Sequence, residues 1–258
     1  MRNLLAVLGS LITTKIAALG EFGRFVWATL RSLVRLPFGF RDVVKQLDEI
    51  GFNSLPIVII SALAIGMVLV LQMSLSFKRF GARALAGPVI SLAVMREMGP
   101  IIASLLVGGR VGAGITAEIG SMKVTEQIDA IKALGADPIK KLVVPRFIAA
   151  LISFPLLAVV ADFAGITGGM VMAKVELGIP PAQYVESLVN FVTVGDFMSG
   201  VLKTVFFGMI VATVGTYIGM KAEGGTQGVG RATTVTVMVS LVLIIVADFF
   251  LTRLFMLF

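Results

Sequence analysis

IGFNSLPIVIISALAIGMVLVLQMSLSF, residues Ile50–Phe77, contains no Asp, Glu, Lys or Arg. At 1.5 Å per residue, a helix of this length crosses a hydrocarbon core of about 30 Å. The stretch therefore reads as a first membrane span, at about 52–77, closed by Lys78, Arg79 and Arg83. Four more apolar regions follow it. They lie at about 85–115, broken by Arg96, Glu97 and Arg110; at 142–173, with Asp162 inside; at 197–220, with Lys203 near its start; and at 233–255, with Asp248 inside. Five spans make an all-α integral membrane protein. Composition agrees: 57% of the 258 residues are hydrophobic and 14% are charged, where a soluble domain has about 25% charged. The chain has no His and no Cys, which excludes disulfides, thiolate metal sites, imidazole bases and Cys or His nucleophiles. No metal site and no catalytic group is expected. The formal charge of +7 reads as basic loops facing anionic lipid, not as a nucleic-acid surface.

Upstream, residues 1–50 are basic and amphipathic. Leu4, Leu5, Leu8, Leu11, Ile12, Ile16 and Leu19 recur near helical spacing, with Arg2, Lys15, Arg24, Arg31 and Trp27 interspersed. This pattern predicts a helix lying in the interface plane; charges every few residues argue against a span. Arg2 and the apolar run after it look like a secretory signal. Lys15 follows, however, no small-x-small cleavage site is evident, and the pattern continues to Leu36, so the segment reads as mature protein.

Lys and Arg set the expected orientation. With the N-terminus inside, residues 1–50, 118–146 and 221–232 carry fourteen basic residues and the opposite side carries six. The N-terminus is then cytoplasmic and the C-terminus external. On the external side, Pro180–Val192 predicts a short helix entered at proline. Glycines recur at spacing four, at Gly108 and Gly112, Gly165 and Gly169, and Gly215 and Gly219, which predicts close helix packing within the chain or between copies.

The longest interruption of the apolar pattern is AEIGSMKVTEQIDAIKALGADP, Ala117–Pro138, which charge counting places in the cytoplasm. It predicts a short amphipathic helix within about 118–137. Thr125 serves as N-cap, Glu126 sits in the favourable first turn, and Lys132 in the last. Gly135 suits a left-handed residue after the helix, and Pro138 blocks continuation. Val124, Ile128, Ile131 and Leu134 share one side; Thr125, Glu126, Asp129 and Lys132 share the other. Asp129, Ala130 and Gly135 match the spacing of the E-A-A-x-x-x-G sequence that docks importer permeases onto their ATPases, with Pro145 three residues early.

Charges inside a membrane are costly and mark either structural ion pairs or function. Arg96 and Glu97 project about 100° apart on a helix and do not simply pair with each other. Asp162, Lys203 and Asp248 are candidate partners for them. Arg96 and Arg110 share a face about 21 Å apart, which puts Arg110 near the inner surface.

Four stretches together resemble the MlaE permease family. They are Ala117–Arg146, REMGPIIASLLVGGRVGAGITAEIG (Arg96–Gly120), GRATTVTV (Gly230–Val237) and ADFFLT (Ala247–Thr252), and the resemblance runs from about residue 40 onward. It implies the inner-membrane permease of a Gram-negative ABC complex that moves phospholipid between inner and outer membranes and maintains outer-membrane asymmetry. The implied partners are a second copy (a homodimer), cytoplasmic ATPase subunits, a STAS-domain subunit and a periplasmic hexameric MCE-domain lipid-binding protein. Under this resemblance Arg96, Glu97 and Lys203 meet lipid, with Leu69, Leu71, Leu75, Phe77 and Phe80 of span one as the acyl-chain wall. ATPase coupling falls to Glu118, Val124, Glu126, Ile128, Asp129, Ile131, Leu134 and Gly135. ATP and Mg²⁺ belong to the partner. The nearest approach to a P-loop here is Gly225–Ala232, with Arg231 and Ala232 where Lys and Ser or Thr are needed. Two rivals make different predictions. An ion-coupled secondary transporter or channel would use Arg96 and Glu97 as a relay. A structural scaffold would need neither.

Overall fold

The computed structural model describes residues 2–33 and 39–257, excepting the side chains of 2–15 and 18. The stripe expected at Leu4–Ile12 falls among those excepted side chains. All described secondary structure is helical: α1 (Arg2–Leu33), α2 (Phe40–Ile50), α3 (Leu55–Arg79), α4 (Ala86–Ala93), α5 (Gly99–Val124), α6 (Gln127–Ala133), α7 (Val144–Leu177), α8 (Pro181–Phe191), α9 (Val194–Met220) and α10 (Gly225–Phe255). Two π-turns, Val94–Met98 and Ile139–Val143, lead into α5 and α7. Five helical segments are long and apolar enough to cross a membrane: Phe40–Arg79, Arg83–Val124, Ile139–Leu177, Val194–Met220 and Gly225–Phe255. The chain is a multi-pass membrane protein.

Several helices outrun their apolar runs. α5 continues past Glu118 to Val124, and α10 begins at Gly225. Apolarity marks the depth of the bilayer, whereas backbone hydrogen bonding continues until a turn stops it. α8 follows its proline signal, with Pro181 at the first position, and is held by the fully buried Tyr184, whose hydroxyl lies 3.4 Å from Ser91 Oγ. Burial pushes the Tyr184 phenol above its usual pKa, so it stays neutral, and its oxygen accepts from Ser91.

Glycine decides how closely the spans approach. A methyl on Gly66 of α3 would overlap the Gly165 carbonyl of α7, and one on Gly168 would overlap the Leu63 carbonyl. The two backbones touch with no side chain between them. Gly108 and Gly112 of α5 receive Val211 of α9, and also Ile244 and Thr236 of α10, while Gly219 of α9 receives Ile119 of α5. The glycine pairs at spacing four therefore pack within the chain. Around them, Val107, Phe154, Phe207 and Ile244 form one core. Val70, Phe77, Ile90, Leu177 and Tyr184 form a second, toward α8. Thr116 Oγ1 donates to the Gly215 carbonyl at 3.0 Å and lies 2.8 Å from Thr236 Oγ1, joining α5, α9 and α10 by a satisfied polar contact. α1 rests on the end of α9. Phe22 and Phe25 meet the Tyr217 ring at 5.1 and 5.4 Å, and Glu21 pairs with Lys221.

Candidate functional site

The π-turn Val94–Met98 carries Arg96 and Glu97, and Pro100 follows it two residues later. Pro100 has no N–H, so the Arg96 carbonyl, four residues earlier, lacks its ordinary α-helical donor. Lys203 of α9 supplies one: its ammonium donates to that oxygen at 3.1 Å. The same Nζ donates to Glu97 Oε1 at 2.7 Å and Thr252 Oγ1 at 2.6 Å, and Thr252 donates to Glu97 Oε1 at 3.1 Å. Asp248 Oδ1 stands 3.4 Å from Nζ, as an ion contact without hydrogen-bond geometry. Lys203 is 2% exposed and its three protons are spent on protein acceptors, while Glu97 beside it stays partly exposed. One ammonium faces two carboxylates.

Arg96 takes a partner that was not expected. Its Nε lies 3.2 Å from Asp196 Oδ1, at the start of α9. Asp196 is already fixed there by a reciprocal cap, in which Thr193 N–H donates to Asp196 Oδ2 at 2.9 Å and Asp196 N–H donates to Thr193 Oγ1 at 3.3 Å. The Thr-x-x-Asp spacing of Thr193 and Asp196 was a readable signal for that cap. Asp162 joins neither cluster. It is 1% exposed, and both its carboxylate oxygens lack a hydrogen-bond partner among the described residues, with Oδ1 against Gly99.

Arg96, Glu97 and Lys203 line one cavity of about 270 Å³. Its apolar wall comes from Val89, Leu92 and Ala93 of α4 and from Phe255 and Met256 at the end of α10. None of Leu69, Leu71, Leu75, Phe77 or Phe80 lines it. Phe77 is consumed in the second core and Leu69 is half-buried beside it, whereas Leu71, Leu75 and Phe80 are exposed along the end of α3. A sequence without α4 in view had no way to find this wall. α4 is eight residues long and merges with its neighbours in one apolar run.

At the other end of α5 the chain turns sharply into α6. Thr125 is not the N-cap: its hydroxyl donates back to the Ser121 carbonyl at 2.8 Å and closes α5. Glu126 takes the cap position in the left-handed conformation, φ 60°, the one non-glycine residue with positive φ among the described residues. That strain is the cost of ending one helix and starting the next within two residues. Gly135, φ 78°, ends α6 as expected, with its N–H donating to Lys132 O at 2.9 Å and Ala136 N–H to Ile131 O at 3.1 Å. The apolar stripe is split. Ile128 is buried in the first core, Ile131 packs partly against it, Val124 ends α5 half-buried, and Leu134 is 86% exposed. The exposed residues of α6 and its ends are therefore Glu126, Gln127, Asp129, Ala130, Lys132, Ala133 and Leu134. A helical wheel gives the faces but not which of them the chain's own core will claim. Asp129 is held by Lys123 at 2.9 Å and Lys132 at 3.0 Å, which lowers its pKa below the ordinary carboxylate value. This clamp holds at neutral pH and is lost as pH falls through the depressed pKa. Glu118 belongs to α5 and pairs with the buried guanidinium of Arg146 in α7.

Known proteins bear on this arrangement. The family model described as Permease MlaE matches residues 43–254. A probable ABC transporter permease protein of Rickettsia conorii is 41% identical over 94% of both chains. The intermembrane phospholipid transport system permease protein MlaE of Haemophilus influenzae is 33% identical over 97% of this chain and 96% of its own. A chloroplastic trigalactosyldiacylglycerol 1 protein of Arabidopsis thaliana is 34% identical over 84% of this chain and 62% of its own.

Proposed function

We propose, on the premise that this chain belongs to the MlaE permease family, that it is the membrane-spanning subunit of an ABC transporter carrying phospholipid between the inner and outer membranes. The observation that carries this reading is the cavity in which Arg96, Glu97 and Lys203 share a wall with Val89, Leu92 and Phe255. Charge beside apolar wall suits an amphiphile, with a head group near Arg96, the more exposed of the two cations, and acyl chains along α4 and α10. Leu71, Leu75 and Phe80, exposed on α3, extend that wall once two copies face each other. On this reading the protein lies in the inner membrane of a Gram-negative cell with its N-terminus cytoplasmic, α1 lies in the interface, and the Lys203 cavity faces the periplasm.

The second part of the proposal concerns α6. ATPase subunits grip it at the exposed Glu126, Gln127, Ala130 and Leu134, while Ile128 and Ile131 carry the motion into the core. A ligand moves a two-state protein only through differential affinity, and the ATP-bound ATPase would supply it. STAS-domain and MCE-domain subunits complete the assembly, and ATP and Mg²⁺ stay in the ATPase. The ion-relay alternative draws no support from the geometry: Arg96 pairs with Asp196 and Glu97 with Lys203, so the two neighbours belong to separate ion pairs.

Photoreactive side chains test the cavity in living cells. Placed at Leu92, the probe is expected to capture phospholipid at a level that changes when the partner's ATP hydrolysis is blocked. At Phe249, exposed on α10, capture should stay constant. Equal, ATP-independent capture at both sites would discard the assignment. For α6, Leu134→Asp is expected to weaken co-purification of the ATPase at least about tenfold while the chain still folds, because Leu134 has no core contact to lose. Retained association would sink the coupling role. Ile128→Asp is no test of docking, since it buries a charge in the chain's own core.

A further inference from the structure

A second cavity, of about 370 Å³, lies at the opposite end of α5 from Lys203. It is bounded by α2, the turn Phe52–Ser54 and α5. Three residues of α5 at spacing four, Arg110, Gly114 and Glu118, form one wall, and Gln46, Glu49 and Asn53 stand across from them. Arg110 is fixed by one nitrogen alone: Nη1 donates to the Glu49 carbonyl at 3.1 Å and to Ser54 Oγ at 2.8 Å. Its Nη2 and Nε have no protein acceptor among the described residues. Glu118 gives Oε2 to Arg146 and keeps Oε1. Glu49 accepts from Gln46 at 3.4 Å and meets Lys45 only at 3.8 Å. Gly114 stands between the charges, and a methyl there would meet no atom within 4 Å. The space in front of it is open.

A positive group and two carboxylates, spaced around an open volume inside a membrane-spanning segment, match a ligand that carries both signs. The guanidinium is a planar fork suited to phosphate oxygens. The carboxylates suit a primary ammonium a few bonds away. A purely anionic head group would meet Arg110 but leave Glu49 and Glu118 facing like charge. We infer that this cavity is a head-group site for a zwitterionic, amine-bearing phospholipid, with the phosphodiester on Arg110 and the ammonium on Glu118 and Glu49. The inference rests on the lipid-transport reading above and deepens it. Under the proposed orientation this site serves the cytoplasmic leaflet, and the Lys203 cavity serves the other.

The test uses the full chain with its ATPase in vesicles of equimolar phosphatidylethanolamine and phosphatidylglycerol, with a photoreactive side chain at Asn53 and adducts identified by intact mass. Phosphatidylethanolamine adducts are expected to dominate. They should fall about tenfold in Glu118→Gln and in Arg110→Gln, as a charge-assisted bond is lost. Gly114→Leu projects a side chain into the volume from a position where the first added carbon meets no neighbour. It should abolish the adducts at Asn53 while a probe at Leu92 still captures lipid. Equal capture of the two lipids at Asn53, or capture unchanged in Gly114→Leu, overturns the inference. Displacement of the adducts by soluble glycerophosphoethanolamine would assign the site to a soluble ligand and overturn it as well. Lipid at Leu92 with none at Asn53 defeats this site alone. No lipid at Leu92 defeats the transport reading beneath it.

Discussion

Lys203→Met is expected to stop lipid movement and to lower stability by about 3–5 kcal/mol, the usual cost of breaking a buried ion pair from one side. The substitution leaves Glu97 and Asp248 facing each other without a cation, and it strips the Arg96 carbonyl of the donor that Pro100 made necessary. Both losses fall at the lip of the same cavity. A second variant separates stability from transport. Lys203→Met with Glu97→Gln and Asp248→Asn removes the charge from both sides, so much of the thermal stability in detergent should return, while transport in reconstituted membranes should not. Lys203→Arg keeps the charge, but its planar fork replaces a compact ammonium that serves three acceptors, so partial function is expected. Full transport in Lys203→Met would reduce the cluster to a structural tie.

Gly66→Leu is expected to eliminate the folded protein. A single methyl at Gly66 already collides with the Gly165 carbonyl, and a backbone atom cannot swing aside as a side-chain tip can. Overpacking costs about 1–3 kcal/mol where side chains can adjust. Here α3 and α7 would have to separate along their length. The measurement is the yield of monodisperse protein and its unfolding temperature. Gly230→Ala, on α10 with nothing within 4 Å of the added methyl, is the control and should be neutral or stabilising by up to about 1 kcal/mol. Equal yields from the two variants would show that the contact between α3 and α7 is looser than described.

Much of this was legible in the chain because membranes enforce simple rules. The charge-free run Ile50–Phe77 and four companions predict five spans, and five helices of the right length and apolarity are present. Arg96, Glu97 and Lys203 were singled out because charge in lipid needs a reason, and they line one cavity. What stayed hidden depends on which neighbour a side chain meets. Asp162 and Asp248 look alike as lone acids in apolar runs, yet one touches Lys203 and the other touches no donor among the described residues. Val124, Ile128, Ile131 and Leu134 share a stripe on paper, but α6 turns Ile128 inward and leaves Leu134 outside. The wall formed by α4 was invisible because a π-turn leaves no mark in hydropathy.

That π-turn, Val94–Met98, holds one surplus residue between α4 and α5. A helix with a surplus residue works like a screw with a movable thread. Passing the surplus along by one position would turn the residue it passes by about 100° and shift it by about 1.5 Å, while the helices on either side keep their places, at the expense of exchanging a few backbone bonds. The apolar wall of the Lys203 cavity sits on one side of that thread, and Glu97 sits within it. A small slip here changes the register between greasy wall and charged floor without unfolding either helix.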